Sequence, residues 1–206
     1  MATDPPDNAL VHEWDTQGAG VELYWLPLGA GGRVVRASGR LYEALAARRE
    51  RRPARDLFHS ALALQTEEGR YVIEQAPAWR TAGDRGVVSS GAVGSRLAGR
   101  LPLFRYELRC WRDGVIPDLD EAVDSPQRLA DDAAAARRAL ELVPSVPTPV
   151  WGRDELGTGE MWNSNSVVAW LLVKAGLPLE RARLPRNGRA PGWEAGIAVA
   201  RRASVG

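Results

Sequence analysis

Within residues 162–175, a polar run at 163–166 leads directly into an almost wholly apolar segment at 167–175. Positions 167–175 are apolar with one exception, so a helix formed there has no polar face to turn toward water. Asn163, Ser164 and Asn165 come just before, and each has a side-chain oxygen that can accept hydrogen bonds from the free N–H groups of a first helical turn. A glycine and a proline follow the segment and end the helix. The rest of the chain must therefore enclose one short helix on most sides.

Two interpretations fit a hydroxyl group at the start of a buried helix. The commonest use of a run rich in serine and asparagine is to cap the helix and nothing more. The alternative uses the partial positive charge of the helix N-terminus, which favours the anion that develops when a nucleophile attacks an acyl group. The residues of the run leave both interpretations open.

A β-hairpin is predicted at residues 57–76, where two strand-like runs flank a turn that contains glycine. With two consecutive glutamates at the tip, Ala61 faces Glu74 and His59 faces Ala76. His59 and Glu74 then become diagonal neighbours on one face, within reach of each other. A shift of one residue would move Glu74 to the opposite face. The pKa of histidine suits acid–base work, although a single strand histidine is more often structural.

The remaining strand patterns complete an α+β chain. Further strands are predicted at residues 21–28 and 103–111 from their apolar or alternating composition. The glycine-rich residues 77–101 are interpreted as a long irregular insertion with a short strand at 87–88. Because the strands are interrupted by only a few helices, we expect an antiparallel sheet packed against the buried helix and not a doubly wound sheet.

Helices are expected at two further places. Ser38 can cap a helix over residues 39–49. Ser125 followed by Pro126 has the N-cap and first-turn pattern of a helix, which we expect over residues 125–142.

The length and net charge of the chain limit the number of domains and the kinds of partner that can be expected. The 206 residues suffice for one sizeable core, so residues 21–206 are expected to form a single domain after an N-terminal arm at 1–20. The formal charge of +1, from 27 basic and 26 acidic residues, gives no overall field that would recruit nucleic acid or an anionic membrane surface. No apolar window predicts a membrane span, and no signal peptide is recognised. The default location is the cytoplasm.

Few residues of the sequence are candidates for binding a metal ion or a cofactor. The single cysteine, Cys110, excludes an internal disulfide and a Cys-rich zinc site, and it lies on the apolar side of its strand as an expected core thiol. His12, Glu13 and Asp15 are possible metal ligands, but no second cluster completes their site. The glycine-rich turn near Val34 lacks the glycine pattern of a nucleotide-binding loop. The sequence therefore predicts no metal and no other cofactor.

The order of these features resembles the circularly permuted papain-like superfamily. That superfamily includes the lecithin retinol acyltransferases, bacterial cell-wall amidases and the deSUMOylating isopeptidases. Its members carry a strand histidine in a context similar to the Phe-His-Ser-Ala-Leu sequence around His59, then a polar residue on the next strand, then an Asn-Cys dipeptide that opens a helix. Asn163 and Ser164 resemble that dipeptide. The resemblance covers residues 57–76 and 162–175.

The resemblance implies that Ser164 is the nucleophile, His59 the base and Glu74 the residue that orients the base. The neighbouring residues of the run would supply substrate or oxyanion contacts: Trp162, Asn163 and Asn165. The implied reaction is hydrolysis or acyl transfer at an amide or ester of a small-molecule or peptide substrate. Serine stands where the superfamily has cysteine. A thiol beside an imidazole readily forms a thiolate, whereas a hydroxyl needs the base to remove its proton during the attack. A natural serine enzyme, a pseudoenzyme that keeps the pocket and a Cys-to-Ser replacement are the three alternatives.

A non-catalytic binding module that uses the same cleft is the competing hypothesis. Several of the eight tryptophans adjoin loops, where they can stack on a ligand, although such residues more often belong to the core or its rim. The position of Ser164 relative to His59 discriminates between the two hypotheses.

Overall fold

The computed structural model describes residues 18–29, 43–78 and 86–202. The strands in these ranges are β1 Gly20–Pro27, β2 Asp56–Thr66, β3 Gly69–Pro77, β4 Val87–Ala92, β5 Arg105–Arg112, β6 Gln127–Ala130 and β7 Gly188–Arg189. The helices there are α1 at 43–50, α2 Ala133–Leu142, α3 Ser164–Lys174 and α4 Trp193–Arg202. Most of the predicted N-terminal arm, including His12, Glu13 and Asp15, and the predicted Ser38 cap lie outside the described residues.

One sheet organises the described chain. Its strands follow the order β4-β5-β3-β2-β1-β6, and each neighbouring pair in that order is antiparallel. The two-residue strand β7 runs parallel to the start of β2. Helices α2 and α3 pack on this sheet, and α4 packs on α3. The predicted α+β fold, an antiparallel sheet packed against a buried helix, is confirmed.

The predicted hairpin forms, but its two strands separate earlier than expected. Gln65 pairs with Arg70 as predicted, and the ladder between β2 and β3 continues to Leu62 and Ile73. It ends there, while β3 continues along β5. The expected pairing of His59 with β3 is therefore wrong.

One face of the sheet carries the main core. Side chains alternate between faces along a strand, so the paired residues Leu23, Leu62 and Ile73 point the same way. They are fully buried in the cluster that α2 and α3 complete. The opposite face carries a smaller cluster, which includes Ala63 and, from the β5–β6 connection, Ile116. The sheet therefore separates two apolar layers of unequal size.

Helix α3 is buried on nearly all sides, as its sequence requires. All of its residues from Ser164 to Leu172 are buried. Helix α4 approaches so closely at Gly196 that a Cβ atom there would lie 2.2 Å from the carbonyl oxygen of Ser166. This close approach explains a glycine in the middle of α4.

The predicted helix over residues 125–142 is wrong in its first part. The peptide bond between Ser125 and Pro126 is cis, and the next residues form β6 beside β1. The hydroxyl of Ser125 accepts a hydrogen bond from the backbone N–H of Trp25 in β1 at 2.8 Å. Helix α2 begins later, after its N-cap Asp132, whose carboxylate accepts a hydrogen bond from the N–H of Ala135 at 2.7 Å.

The insertion after β3 is more ordered than its composition predicts. Strand β4 pairs with β5 at the edge of the sheet, and it is longer than the predicted strand at 87–88. Two short 3-10 turns, Ala98–Arg100 and Pro102–Phe104, connect β4 to β5. Residues 79–85 lie outside the described ranges.

Cys110 is a partly buried thiol packed against the main core. Burial raises the pKa of this thiol to about 11. Because the thiolate is the reactive form, Cys110 should react slowly with alkylating reagents near neutral pH.

Candidate functional site

Asn163 closes the first turn of α3. Its side-chain oxygen accepts hydrogen bonds from the backbone N–H groups of Asn165, at 2.9 Å, and Ser166, at 3.4 Å. In return, the hydroxyl of Ser166 accepts a hydrogen bond from the N–H of Asn163 at 3.1 Å, which completes a capping box. The Asn163 amide also donates to the carbonyl of Pro191 at 2.8 Å. The side chain of Asn163 is therefore part of the scaffold.

Asn165 ties three parts of the fold together. Its amide nitrogen donates to the carbonyls of Phe58, at 2.9 Å, and Pro191, at 3.0 Å. Its oxygen accepts a hydrogen bond from the hydroxyl of Ser60 at 2.9 Å. These buried bonds join α3 to β2 and to the loop before α4.

The three residues predicted to contact the substrate or the oxyanion, Trp162, Asn163 and Asn165, all have structural contacts. The side-chain amides of Asn163 and Asn165 are occupied by the bonds described above. Trp162 is buried in the main core, away from solvent. In the described chain the indole nitrogen of Trp162 is buried and has no hydrogen-bond partner.

Replacing Asn165 with alanine should lower the free energy of unfolding by about 2–4 kcal/mol, since a buried group left without a partner costs about 1–3 kcal/mol. The substitution removes the hydrogen bonds of the Phe58 carbonyl and the Ser60 hydroxyl, whereas the Pro191 carbonyl keeps its bond to Asn163. Urea unfolding monitored by tryptophan fluorescence measures the change.

The matched variant Asn163→Ala should cost less, about 0.5–2 kcal/mol, which is typical of a lost N-cap. A larger loss for Asn163→Ala than for Asn165→Ala would contradict the structural ranking of these two amides.

Ser164 differs from its polar neighbours. Within residues 18–29, 43–78 and 86–202, neither its hydroxyl nor its backbone N–H makes a hydrogen bond. The residue occupies the first position of α3 and is buried. Unpaired N–H groups and partial positive charge are concentrated at this position of a helix. In the polar run, Ser164 is the residue that the scaffold leaves available.

Helix α3 begins beside an open edge of β2. The carbonyl of Leu57 accepts a hydrogen bond from the N–H of Leu28, next to β1. Since backbone groups alternate along a strand, the carbonyl of Phe58 points the other way, toward the edge that β3 has left. The amide of Asn165 binds that carbonyl. The start of α3 is therefore bonded to β2 at the gap that opens between β2 and β3 after the hairpin ladder ends at Leu62.

His59 lies directly beside this gap. His59 is the neighbour of Ser60 in β2, and Ser164 is the neighbour of Asn165 in α3. The hydroxyl of Ser60 donates a hydrogen bond to the side-chain oxygen of Asn165 at 2.9 Å. Because side chains alternate along a strand, His59 leaves β2 on the face opposite to Ser60. A contact between His59 and Ser164 must therefore pass across the open edge of β2.

Glu74 shares the sheet face of His59 and is held there by a cation. Its neighbour Ile73 faces the main core, so Glu74 points to the opposite face. Its carboxylate accepts a hydrogen bond from the guanidinium of Arg109 in β5 at 3.1 Å. Arg109 is only 2% exposed and also donates to Glu107 at 3.0 Å. The sequence analysis missed Arg109, which fixes the carboxylate predicted to orient His59.

Gln75 is a second residue that the sequence analysis missed. It is buried, and in the described chain neither the oxygen nor the nitrogen of its amide has a hydrogen-bond partner. Extending the hairpin register would place it opposite Ser60, at the gap that α3 fills. A buried unpaired amide is costly, so we interpret Gln75 as a candidate donor to a bound ligand.

A cleft of about 590 Å³ adjoins the start of α3. Leu45 and Arg49 of α1 line one side, and Met161 and Gly192 line the other. The carbonyls of Met161 and Gly192 both accept hydrogen bonds from the hydroxyl of Ser166, at 3.4 and 2.7 Å. The cleft lies next to the polar run, but neither Ser164 nor His59 is among the described residues that line it.

The described residues contain no group of three or more His, Cys, Asp or Glu side chains able to hold a metal ion. None of the helices in the same ranges has the length and apolar character needed to cross a bilayer.

No protein-family model, curated protein or solved structure matches the chain. The candidate site is therefore interpreted from its own geometry.

Proposed function

We propose that the protein hydrolyses an amide or ester, or transfers its acyl group, with Ser164 as the nucleophile. One observation carries the proposal: among the polar residues 163–166, Ser164 alone makes no side-chain hydrogen bond within the described ranges. A residue retained only for capping would be bonded as its neighbours are. A free hydroxyl at the start of a buried helix is suited to attack on an acyl carbon.

Each neighbouring group has a role in the proposed reaction. Ser164 Oγ attacks the acyl carbon while His59 removes its proton and later gives it to the leaving group. The N–H of Ser164 and the amide of Gln75 donate to the oxyanion. Glu74 orients His59, and Arg109 holds Glu74. Water, or a second acceptor, then cleaves the acyl-serine, which gives hydrolysis or transfer.

A non-catalytic binding module is the second candidate function. It is favoured by the direction of His59, which leaves β2 on the face opposite to Ser60, and by the existing partner of Glu74. In that case the cleft beside α3 holds a small molecule or peptide without covalent chemistry, and Ser164 has no reactivity of its own.

A fluorophosphonate probe should label Ser164 covalently, because such reagents capture serine hydroxyls that an adjacent base activates. Mass spectrometry of the digested protein identifies the labelled peptide. Labelling should disappear in Ser164→Ala and fall strongly in His59→Ala.

Ser166→Ala is the matched control, since it removes a hydroxyl from the same helical turn whose bonds are all structural. That variant should keep the label while losing stability. Label that persists in Ser164→Ala, or that never reaches Ser164, would favour the binding module.

A further inference from the structure

Large apolar side chains are exposed on the segment between β4 and β5. Leu97, Leu101, Leu103 and Phe104 are 69%, 57%, 61% and 41% exposed. They fall within eight consecutive residues, 97–104. Scattered exposed apolar residues need no explanation, but four so close together indicate an interaction surface. We call residues 96–105 the Arg-Leu segment.

The Arg-Leu segment is also strongly basic. Arg96, Arg100 and Arg105 lie in it, and residues 86–106 contain no aspartate or glutamate. The balanced charge of the whole chain, +1, hides this local excess of three positive charges. The expectation about anionic surfaces rested on the charge of the whole chain, so it does not address this segment.

The three arginines line a common pocket of about 340 Å³. Glu155 is the acidic residue in its lining, and it binds Arg96 at 2.9 Å. Arg105 donates to the hydroxyl of Ser90 at 2.7 Å. Arg100 is exposed, and in the described part of the chain its guanidinium makes no hydrogen bond or ion pair. The pocket keeps a net positive charge that suits a phosphate group.

The backbone of the segment is held in place by its neighbours. The N–H of Val93 donates to the carbonyl of Phe104 at 2.8 Å, and the N–H of Gly94 donates to the carbonyl of Trp151 at 2.9 Å. The two 3-10 turns add their own internal bonds. The leucines are thus presented from an ordered surface beside the arginine-lined pocket.

We infer that the Arg-Leu segment binds the surface of an anionic phospholipid bilayer. The exposed leucines and Phe104 enter the boundary between headgroups and acyl chains, and the arginines contact lipid phosphates. Charge complementarity selects this partner over a second copy of the chain, because a two-fold contact through the same patch would set arginines against arginines. Such binding at the interface needs no helix that spans the membrane.

Co-sedimentation of the full chain with vesicles tests the inference. The protein should bind vesicles of mixed phosphatidylcholine and phosphatidylglycerol, bind pure phosphatidylcholine far more weakly, and lose affinity as salt is raised. The double variant Leu97→Ser/Leu101→Ser should bind the mixed vesicles about tenfold more weakly or worse. Arg100→Gln should weaken binding about fivefold.

The matched control is Leu184→Ser/Arg186→Gln, which changes another exposed leucine and a nearby exposed arginine outside the Arg-Leu segment. This control should bind like the unchanged protein. Absence of binding to the mixed vesicles, equal binding to the neutral ones, or binding that survives both Arg-Leu variants would overturn the inference. A dimer in solution that the leucine variant dissociates would assign the segment to a second copy instead, and would also overturn it.

Discussion

Replacing Arg109 with methionine should lower the free energy of unfolding by about 3–5 kcal/mol, the usual effect of removing one partner from a buried ion pair. Arg109 donates to the carboxylates of Glu74 and Glu107 and to the carbonyl of Pro77. Methionine fills similar space but removes the Arg109 guanidinium from the buried Glu74 carboxylate. Thermal or urea unfolding at neutral pH measures the loss.

Two further variants separate the loss of the ion pair from a simple loss of packing. Arg112→Met changes the same residue type on the same strand at an exposed position, so it should alter stability by no more than about 0.5 kcal/mol. Adding Glu74→Gln to Arg109→Met removes the buried carboxylate charge that Arg109 contacts in the unchanged protein, and should restore much of the lost stability. An Arg109→Met protein as stable as the unchanged one would show that the ion pair contributes nothing to folding.

The parts of the fold that sequence reasoning predicted depend on local patterns. The turn after Gln65 sets the register of the hairpin, and the apolar run before Gly176 leaves no alternative to a buried helix. Asn163, one of the three possible caps before that run, is the N-cap. Local rules suffice where one segment determines its own conformation.

The errors come from contacts between distant segments. Ser125 and Pro126 carry a helix-start pattern, but pairing of the next residues with β1 produces a strand. The hairpin ladder ends at Leu62, and Asn165, far along the chain, binds the β2 edge beyond that point. The alternation of apolar and charged residues in 103–111 is typical of a strand with one solvated face, yet Arg109 on that face is only 2% exposed. Such tertiary effects override local propensity.

Some of the candidate site could have been found from the sequence. Strand alternation places Gln75 on the same face as Ile73, so a polar residue on the core face was a signal available before the structure. Charge counted over short windows would have revealed the Arg-Leu segment, which the whole-chain balance conceals. The scaffold role of Asn165 had no comparable signal, because a cap and a tertiary bridge use the same residue type.

The reactivity of a thiol placed at position 164 tests the central claim that Ser164 and His59 share one site. In Ser164→Cys, the helix N-terminus and an adjacent imidazole both favour the thiolate and lower the pKa of the introduced thiol. Iodoacetamide alkylation is followed against pH by mass spectrometry, with and without His59→Ala. Cys110 serves as the internal reference, since burial raises its pKa to about 11.

The introduced thiol should be alkylated near neutral pH about tenfold faster than an ordinary cysteine, whose pKa is near 8.5. His59→Ala should slow that alkylation and move its pH profile upward, while Cys110 stays slow in every variant. Alkylation at position 164 that is slow and indifferent to His59 would contradict the account, because the two residues would then not share a site.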